Sequence, residues 1–375
     1  MKIGVLTTSF PRREGDLAGS FVLGFARALA KLGHTIEVLC PSHAQGTAPT
    51  FAQLEVSWVR YLPRQLEHTF YGAGVIDNLR RAPWTAIGLA PFSLALAREA
   101  HARTWDAVVS HWALPCALVA PRSIPHLAVC HSADVFALEH LPRVLAMQVA
   151  RAADAMVFSS RDLRKRFLNR LSAMQSAEAA QRAHVCPMGI DPAPKLKREA
   201  CRRELELRGP TALTMSRLVP IKGLEYAIEA VRNSNWQLMI AGEGPERARL
   251  ERLARGARVR FLGHVTGAAK SRWLSAADAF VLPSIPLASG RTEGMPTGVL
   301  EAMEHGLPVV ASDTGGLRDV VHHGEDGLLV APRDSAAIAL ALSQLHPSMR
   351  NFARETAAQY HWDVLAPRFE ELLAR

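Results

Sequence analysis

The chain of 375 residues reads as an α/β protein with two domains, each built around a buried parallel sheet. Three observations predict this. Short, continuous apolar runs recur along the chain, among them Lys2 to Ser9, Thr211 to Met215 and Leu307 to Ala311, as buried strands do. Helical stretches alternate with them, which is the pattern of βαβ units. The length suits two domains, and 49% apolar against 21% charged residues supplies a sizeable core and argues against disorder.

The elements follow in order. After the strand Lys2 to Ser9 comes a loop from Phe10 to Gly19, then a helix from about Ser20 to Leu32 that Gly33 ends, then the strand Thr35 to Pro41. No Gly-x-Gly-x-x-Gly follows the first strand, so the dinucleotide fingerprint is absent. Residues 64–98 carry Arg64, Phe70, Tyr71, Arg80, Arg81 and Trp84, then an apolar run with Pro91 in it. Such a mixture is what an interfacial segment presents to lipid; a buried helix under a loop is the other reading. The run from Trp84 to Ala97 is too short to span a bilayer.

Two strands end in histidine: one runs from Trp105 to His111, and one from His126 to His131 with Asp134 close behind. Strand ends are where open α/β sheets gather ligands. His131 with Asp134 is the stronger candidate; His111 is either supporting or structural. The charge run Arg161 to Arg170 reads as a solvated helix face.

In the second half, the strand Thr211 to Met215 leads through a loop holding Arg217 and Lys222 into a helix. Two cations five residues apart there can point at one anion. The strand from Gln237 ends at Gly242 and Gly244; a Gly-Gly turn follows Ser312, and the last helix runs from Tyr360 to Leu373.

The stretch from Ser284 to Val310 organises this half. A glycine-rich loop with Gly290, Glu293, Gly294, Met295 and Pro296 leads into a helix from Thr297 to His305, stopped by Gly306. Loop N–H groups and a helix N-terminus meet at one point, an anion site framed by Glu293 and Glu301. Glu293 and Glu301, set among Glu-Gly-Met-Pro, Leu-Glu-Ala-Met and Gly-Leu-Pro-Val-Val-Ala-Ser, resemble the Glu-x7-Glu motif of the retaining nucleotide-sugar glycosyltransferases of family 4. The first loop with Gly19, the segment His131 to Asp134 and the crossover Val185 to Pro192 resemble the same group. Met188 departs from it, since asparagine is common there.

The resemblance implies the GT-B fold: two Rossmann-like domains facing each other across a deep cleft. The expected division is 1–188 for the acceptor side, 189–358 for the nucleotide-sugar side and 359–375 as a helix crossing back. It implies catalytic roles for His131, Arg217, Lys222 and Glu293. Donor contacts are expected from Gly19, Asp134, Gly242, Gly244, Gly294, Met295, Pro296, Thr297 and Glu301. Arg217 and Lys222 would grip the diphosphate and Glu301 the ribose hydroxyls. No two of the thirteen aspartates stand two residues apart, so no Asp-x-Asp metal site is expected, nor any other cofactor. A nucleotide-sugar 2-epimerase of the same fold and a non-catalytic nucleotide-sugar-binding module remain as alternatives.

The net charge of +9 is uneven: residues 1–190 hold 20 Lys and Arg against 13 Asp and Glu, the rest 24 against 22. No nucleic-acid-binding pattern accompanies the excess. A glycan or lipid-linked acceptor, or an anionic membrane surface, is the expected partner; an arginine-rich proteome explains the charge equally well. Five cysteines without Cys-x-x-Cys spacing, and an N-terminus without a cleavage site, lead to the expectation of a cytoplasmic protein, peripheral at the membrane at most.

Overall fold

The computed structural model describes residues 1–13, 15–16, 18–43, 50–71 and 74–374, and within these not the side chains of 76, 77 and 80. Parts of the first loop therefore lie outside the described residues, as does the side chain of Arg80. Two compact units are present. The first comprises Met1–Gly189 together with Trp362–Arg375, the second Ile190–His361.

The first unit holds β1 (Lys2–Leu6), β2 (Thr35–Pro41), β3 (Leu54–Val59), β4 (Ala107–His111), β5 (His126–Cys130), β6 (Ala155–Phe158) and β7 (Ala183–Val185). They form one parallel sheet in the order β3-β2-β1-β4-β5-β6-β7. The second unit holds β8 (Thr211–Met215), β9 (Gln237–Ala241), β10 (Val259–Gly263), β11 (Ala279–Leu282), β12 (Val309–Ser312) and β13 (Gly327–Val330). These run parallel in the order β10-β9-β8-β11-β12-β13. Both are doubly wound Rossmann-like sheets. Central strands are apolar on both faces because helices cover both; β4, β5, β11 and β12 are buried at every residue.

The C-terminal helix Trp362–Leu373 packs on the first unit. Phe369 meets Phe25 of the helix Ser20–Lys31 edge to face at 5.1 Å, and His34 Nε2 pairs with Glu370 at 2.9 Å. Trp362 is the anchor. The units part at Gly189/Ile190 and His361/Trp362, one and three residues beyond the expected 188/189 and 358/359. The reason is local: Ile190 N–H donates to the Tyr360 carbonyl at 3.0 Å, and Ile190 bridges His361, holding residues 359–361 to the second unit.

Phe70 and Tyr71, counted in the sequence as part of an interfacial segment, are buried instead. Phe70 lies 4.3 Å from the Phe92 ring, and Tyr71 donates its hydroxyl to the Pro41 carbonyl at 2.8 Å. All five cysteines are buried and unpaired as disulfides.

Gly189 lies so close under the indole of Trp362 that an added Cβ would sit 2.6 Å from the ring. Gly189→Ala must therefore displace the anchor, and overpacking of this kind costs about 1–3 kcal/mol. Urea unfolding of the variant should show an unfolding free energy lowered by that amount, seen as a lower midpoint. An unchanged midpoint would mean that the indole is not held against the Gly189 backbone.

Candidate active site

In each sheet the winding direction reverses beside the first strand, between β1 and β4 and between β8 and β11. Ligands of open α/β sheets bind outside the C-terminal strand ends at such points. The candidate residues leave those ends, and each unit builds its own constellation.

In the second unit, β8 runs into a loop with Arg217 exposed and then a short 3-10 turn, Pro220–Lys222. Gly223 closes the turn at φ 56°, a left-handed backbone that glycine adopts without strain. Lys222 Nζ donates to Glu293 Oε2 at 2.6 Å, and Ser284 Oγ, from the exit of β11, donates to the same oxygen at 2.9 Å. Both charged side chains are only 12% exposed. Burial pushes the Glu293 carboxyl up, but the Lys222 ammonium, the Ser284 hydroxyl and the Arg291 guanidinium outweigh it and hold the group below its usual range. Glu293 is thus a carboxylate at neutral pH, an acceptor only.

Glycines explain how these loops come so close. A Cβ on Gly242 would collide with the Ser216 carbonyl, and one on Gly244 with that of Leu218. The loop after β9 therefore lies directly on the one carrying Arg217. Glu293 is pinned from behind: its carbonyl accepts the Gly316 N–H at 3.1 Å, and a Cβ on Gly315 would strike that carbonyl. Gly294 is buried, Met295 packs against the core, and Pro296 precedes the helix Thr297–Glu304, whose N-terminus no side chain caps. Its first N–H groups are available to an anion. Glu301, one turn on, accepts from Lys270 Nζ at 2.5 Å.

In the first unit, Gly19 begins the helix Ser20–Lys31 at φ 66°, and a Cβ there would collide with the Ser9 carbonyl. His131 ends β5 and starts the helix Ser132–His140; Asp134 in its first turn accepts the His131 N–H at 2.9 Å and that of Ala113 as well. His131 Nε2 lies 3.2 Å from Nδ1 of the buried His111, and the two rings stack. Phe21 and Trp112 flank His131, with ring centroids at 4.9 and 4.8 Å. Trp112 takes φ 74°, a strained backbone for a non-glycine residue, of the kind that gathers at functional sites. Burial drives His131 down to about 3 and Asp134 up to about 7, and holds His111 well below its ordinary value. Both imidazoles are neutral at pH 7.

The two constellations therefore gather, separately, Gly19, His131 and Asp134, and Arg217, Lys222, Gly242, Gly244, Glu293 to Thr297 and Glu301. Sequence reasoning missed Lys270, Ser284, Phe21 and Trp112. Phe21 and Trp112 stand beside flagged residues, which was a usable signal. Lys270 sits on a separate helix, Gly267–Ala276, and nothing in the sequence separates it from other surface cations.

The neutral histidine pair sets a pH dependence. As pH falls through about 6.5 the unfolded histidines take protons that the folded ones refuse, so stability present above that value is lost below it. Asp134 works oppositely, since its raised value favours the fold as pH falls from about 7 toward 3.8. Two imidazoles against one carboxyl leave a net loss on acidification. His111→Asn should flatten the fall in melting temperature between about pH 7 and pH 5; an unchanged slope would contradict the buried neutral pair.

Comparison with known proteins agrees with this geometry. Residues 18–194 match the model described as Glycosyltransferase Family 4, and residues 209–347 the one described as Glycosyl transferases group 1. The GDP-mannose-dependent alpha-(1-6)-phosphatidylinositol monomannoside mannosyltransferase of Mycobacterium tuberculosis is 30% identical over 289 residues, 70% of this chain and 74% of that protein. The amylovoran biosynthesis glycosyltransferase AmsK of Erwinia amylovora is 35% identical over 177 residues, 44% of this chain and 42% of its own length. Sucrose-phosphate synthase from Thermosynechococcus elongatus superposes with a TM-score of 0.79 at 22% identity, over 100% of this chain and 98% of that one. Anabaena HepE in complex with UDP gives 0.72 at 19% identity, over 100% of both chains. With its two Rossmann-like units and a strand-end constellation in each, the chain belongs to the family-4 glycosyltransferases of the GT-B fold.

Proposed function

We propose that this glycosyltransferase is a retaining, metal-independent hexosyltransferase, drawing on a nucleotide-diphospho sugar and acting on a glycan, lipid-linked or small-molecule acceptor. One observation carries the reading: the buried Lys222–Glu293 pair, with Ser284, at the switch point of the second sheet. The Mycobacterium relative is named for GDP-mannose and a phosphatidylinositol mannoside, and HepE is described with UDP, which supports a nucleoside-diphosphate donor and a glycolipid acceptor here.

The chemistry follows from where charge develops. Breaking the bond between the anomeric carbon and the phosphate oxygen leaves negative charge on the diphosphate and an oxocarbenium-like sugar. The greatest help is positive potential fixed at the leaving group. Lys222 supplies it from a buried position, Arg217 from an exposed one, and the uncapped helix N-terminus at Thr297 adds N–H donors. Glu293, an acceptor only, suits sugar hydroxyls; Glu301, bound to Lys270, suits the ribose hydroxyls. His131, kept neutral by burial, suits the sugar's outer hydroxyls. In front-face attack the acceptor oxygen bonds to the anomeric carbon on the side the phosphate leaves. The departing phosphate takes the acceptor's proton, so no enzyme carboxylate has to act as base.

Two tests address this. Transfer should persist in EDTA; its loss, with recovery on adding Mg²⁺, would overturn metal independence. Lys222→Met alone would leave Glu293 buried without its partner and should destabilise by about 3–5 kcal/mol. The double variant Lys222→Met/Glu293→Gln should recover most of that stability and none of the activity. Recovery of both would remove the pair from the mechanism.

Glu301→Ala should weaken donor affinity about tenfold or more, since a hydrogen bond to a charged group is worth roughly 1.5–3 kcal/mol. The fold should hardly notice, because Glu301 and Lys270 are 33% and 26% exposed and such surface pairs contribute little. Titration of nucleotide sugar against the variant, beside its melting temperature, checks both halves.

A further inference from the structure

The stretch Pro83–His101 folds as a 3-10 segment, Pro83–Gly88, running directly into the helix Leu89–His101. Its inner side is ordinary core: Thr85, Gly88, Phe92, Leu96 and Ala100 are buried. The outer side is not an ordinary surface. Pro83, Trp84, Ala86, Ile87, Ala90 and Leu94 are all exposed, with Trp84 at 54%, Ile87 at 58% and Leu94 at 73%. The intervals from Trp84 to Ile87, from Ile87 to Leu94 and from Leu94 to Arg98 place these residues along one helical face. From Ala82 to Ala97 no residue is charged. The two hydroxyls in that span are spent locally, Thr85 on the Ala82 carbonyl and Ser93 on the Leu89 carbonyl, both at 2.8 Å. A soluble helix normally turns charge outward; this one is apolar on both faces.

Cations bound the strip. Exposed Arg81 stands before it and Arg98, with its side chain 84% exposed, closes it. The His68 ring meets Trp84 edge to face at 6.1 Å, which brings the turn with exposed Arg64 and Leu66 beside the same strip. Among the described side chains the nearby acids are spoken for: Glu67 is buried and accepts the Tyr61 N–H, and Glu99 is paired with Arg98 and Arg103. Apolar anchors and a tryptophan between arginines, with no open carboxylate among the described side chains, match the interface of an anionic bilayer in both polarity and charge. Among the described residues no helix is long and apolar enough to cross a membrane, so the strip would lie on the surface.

We propose that the outer face of this segment docks the enzyme on anionic lipid, with Trp84, Ile87 and Leu94 in the interface and Arg64, Arg81 and Arg98 on the headgroups. The inference deepens the glycolipid-acceptor reading, and rests on it only for its purpose, which is to hold the acceptor-bearing surface against the enzyme. Its test needs neither donor nor acceptor. The full chain is sedimented with vesicles of phosphatidylcholine, with and without phosphatidylglycerol, at low and then high ionic strength. Binding is expected to the anionic vesicles and to fall as salt rises.

The double variant Ile87→Glu/Leu94→Glu should bind at least about tenfold more weakly per side chain removed from the interface. Both positions are exposed, so its melting temperature and nucleotide-sugar affinity should match the parent. Trp84→Phe should remove any blue shift of tryptophan emission on adding vesicles. Absence of binding by the parent, or equal binding by the double variant, overturns the proposal. Sedimentation velocity showing a dimer that the double variant abolishes would give the face to a second copy instead. Vesicle binding without glycosyl transfer would leave the docking intact and reject the functional reading alone; transfer without vesicle binding does the reverse.

Discussion

The second unit depends on backbone lying directly against backbone at the ends of its strands. Four glycines mark the contacts: Gly223 on the Pro283 carbonyl, Gly242 on Ser216, Gly244 on Leu218 and Gly315 on Glu293. A methyl group at any of them would collide with an oxygen that cannot move without its loop. Loops from β8, β9, β11 and β12 are thereby stacked into one layer. Only in such a layer can Lys222, from the first loop, reach Glu293, from the third, with Ser284 bound to the same oxygen.

That pair is weak evidence for stability. Stripping water from an ammonium and a carboxylate is penalised by several kcal/mol per ion, which their attraction barely repays. A scaffold that fixes both in place holds a compact cation and a carboxylate side by side, each neutralising the other. The first unit has the opposite electrostatics: His111 and His131 are neutral, and Asp134 binds backbone N–H groups rather than a cation. Of the two constellations, the charged one thus lies in the second unit, and the one built of neutral imidazoles, backbone hydrogen bonds and aromatic rings in the first.

The helical segment Pro83–His101 shows the limit of counting apolar residues. Its inner face is satisfied by the core, while on its outer face Trp84 meets only the His68 ring edge to face, and Trp84, Ile87 and Leu94 stay exposed. Each exposed large side chain left in water forgoes about 1.5–3 kcal/mol that burial would return. A surface that completes the burial therefore has a definite driving force, and exposed arginines, Arg81 and Arg98, stand at either end of the strip.

Much was legible from the sequence alone. Strand–helix alternation gave two parallel sheets because buried strands and their covering helices have distinct periods, local properties of the chain. Gly306 as a helix stop and Gly19 before the first helix were readable for the same reason, since turns and caps depend on neighbours in sequence; Glu293 and Glu301 stood out only through the resemblance of the motif around them. The tertiary structure alone decided what each side chain faces. It turned Phe70 and Tyr71 inward and Trp84, Ile87 and Leu94 outward from one apolar segment. It set Lys270 against Glu301 and His111 against His131, across 31 and 20 residues of chain. Contacts of that range follow from strand order and loop stacking, and no local pattern encodes them.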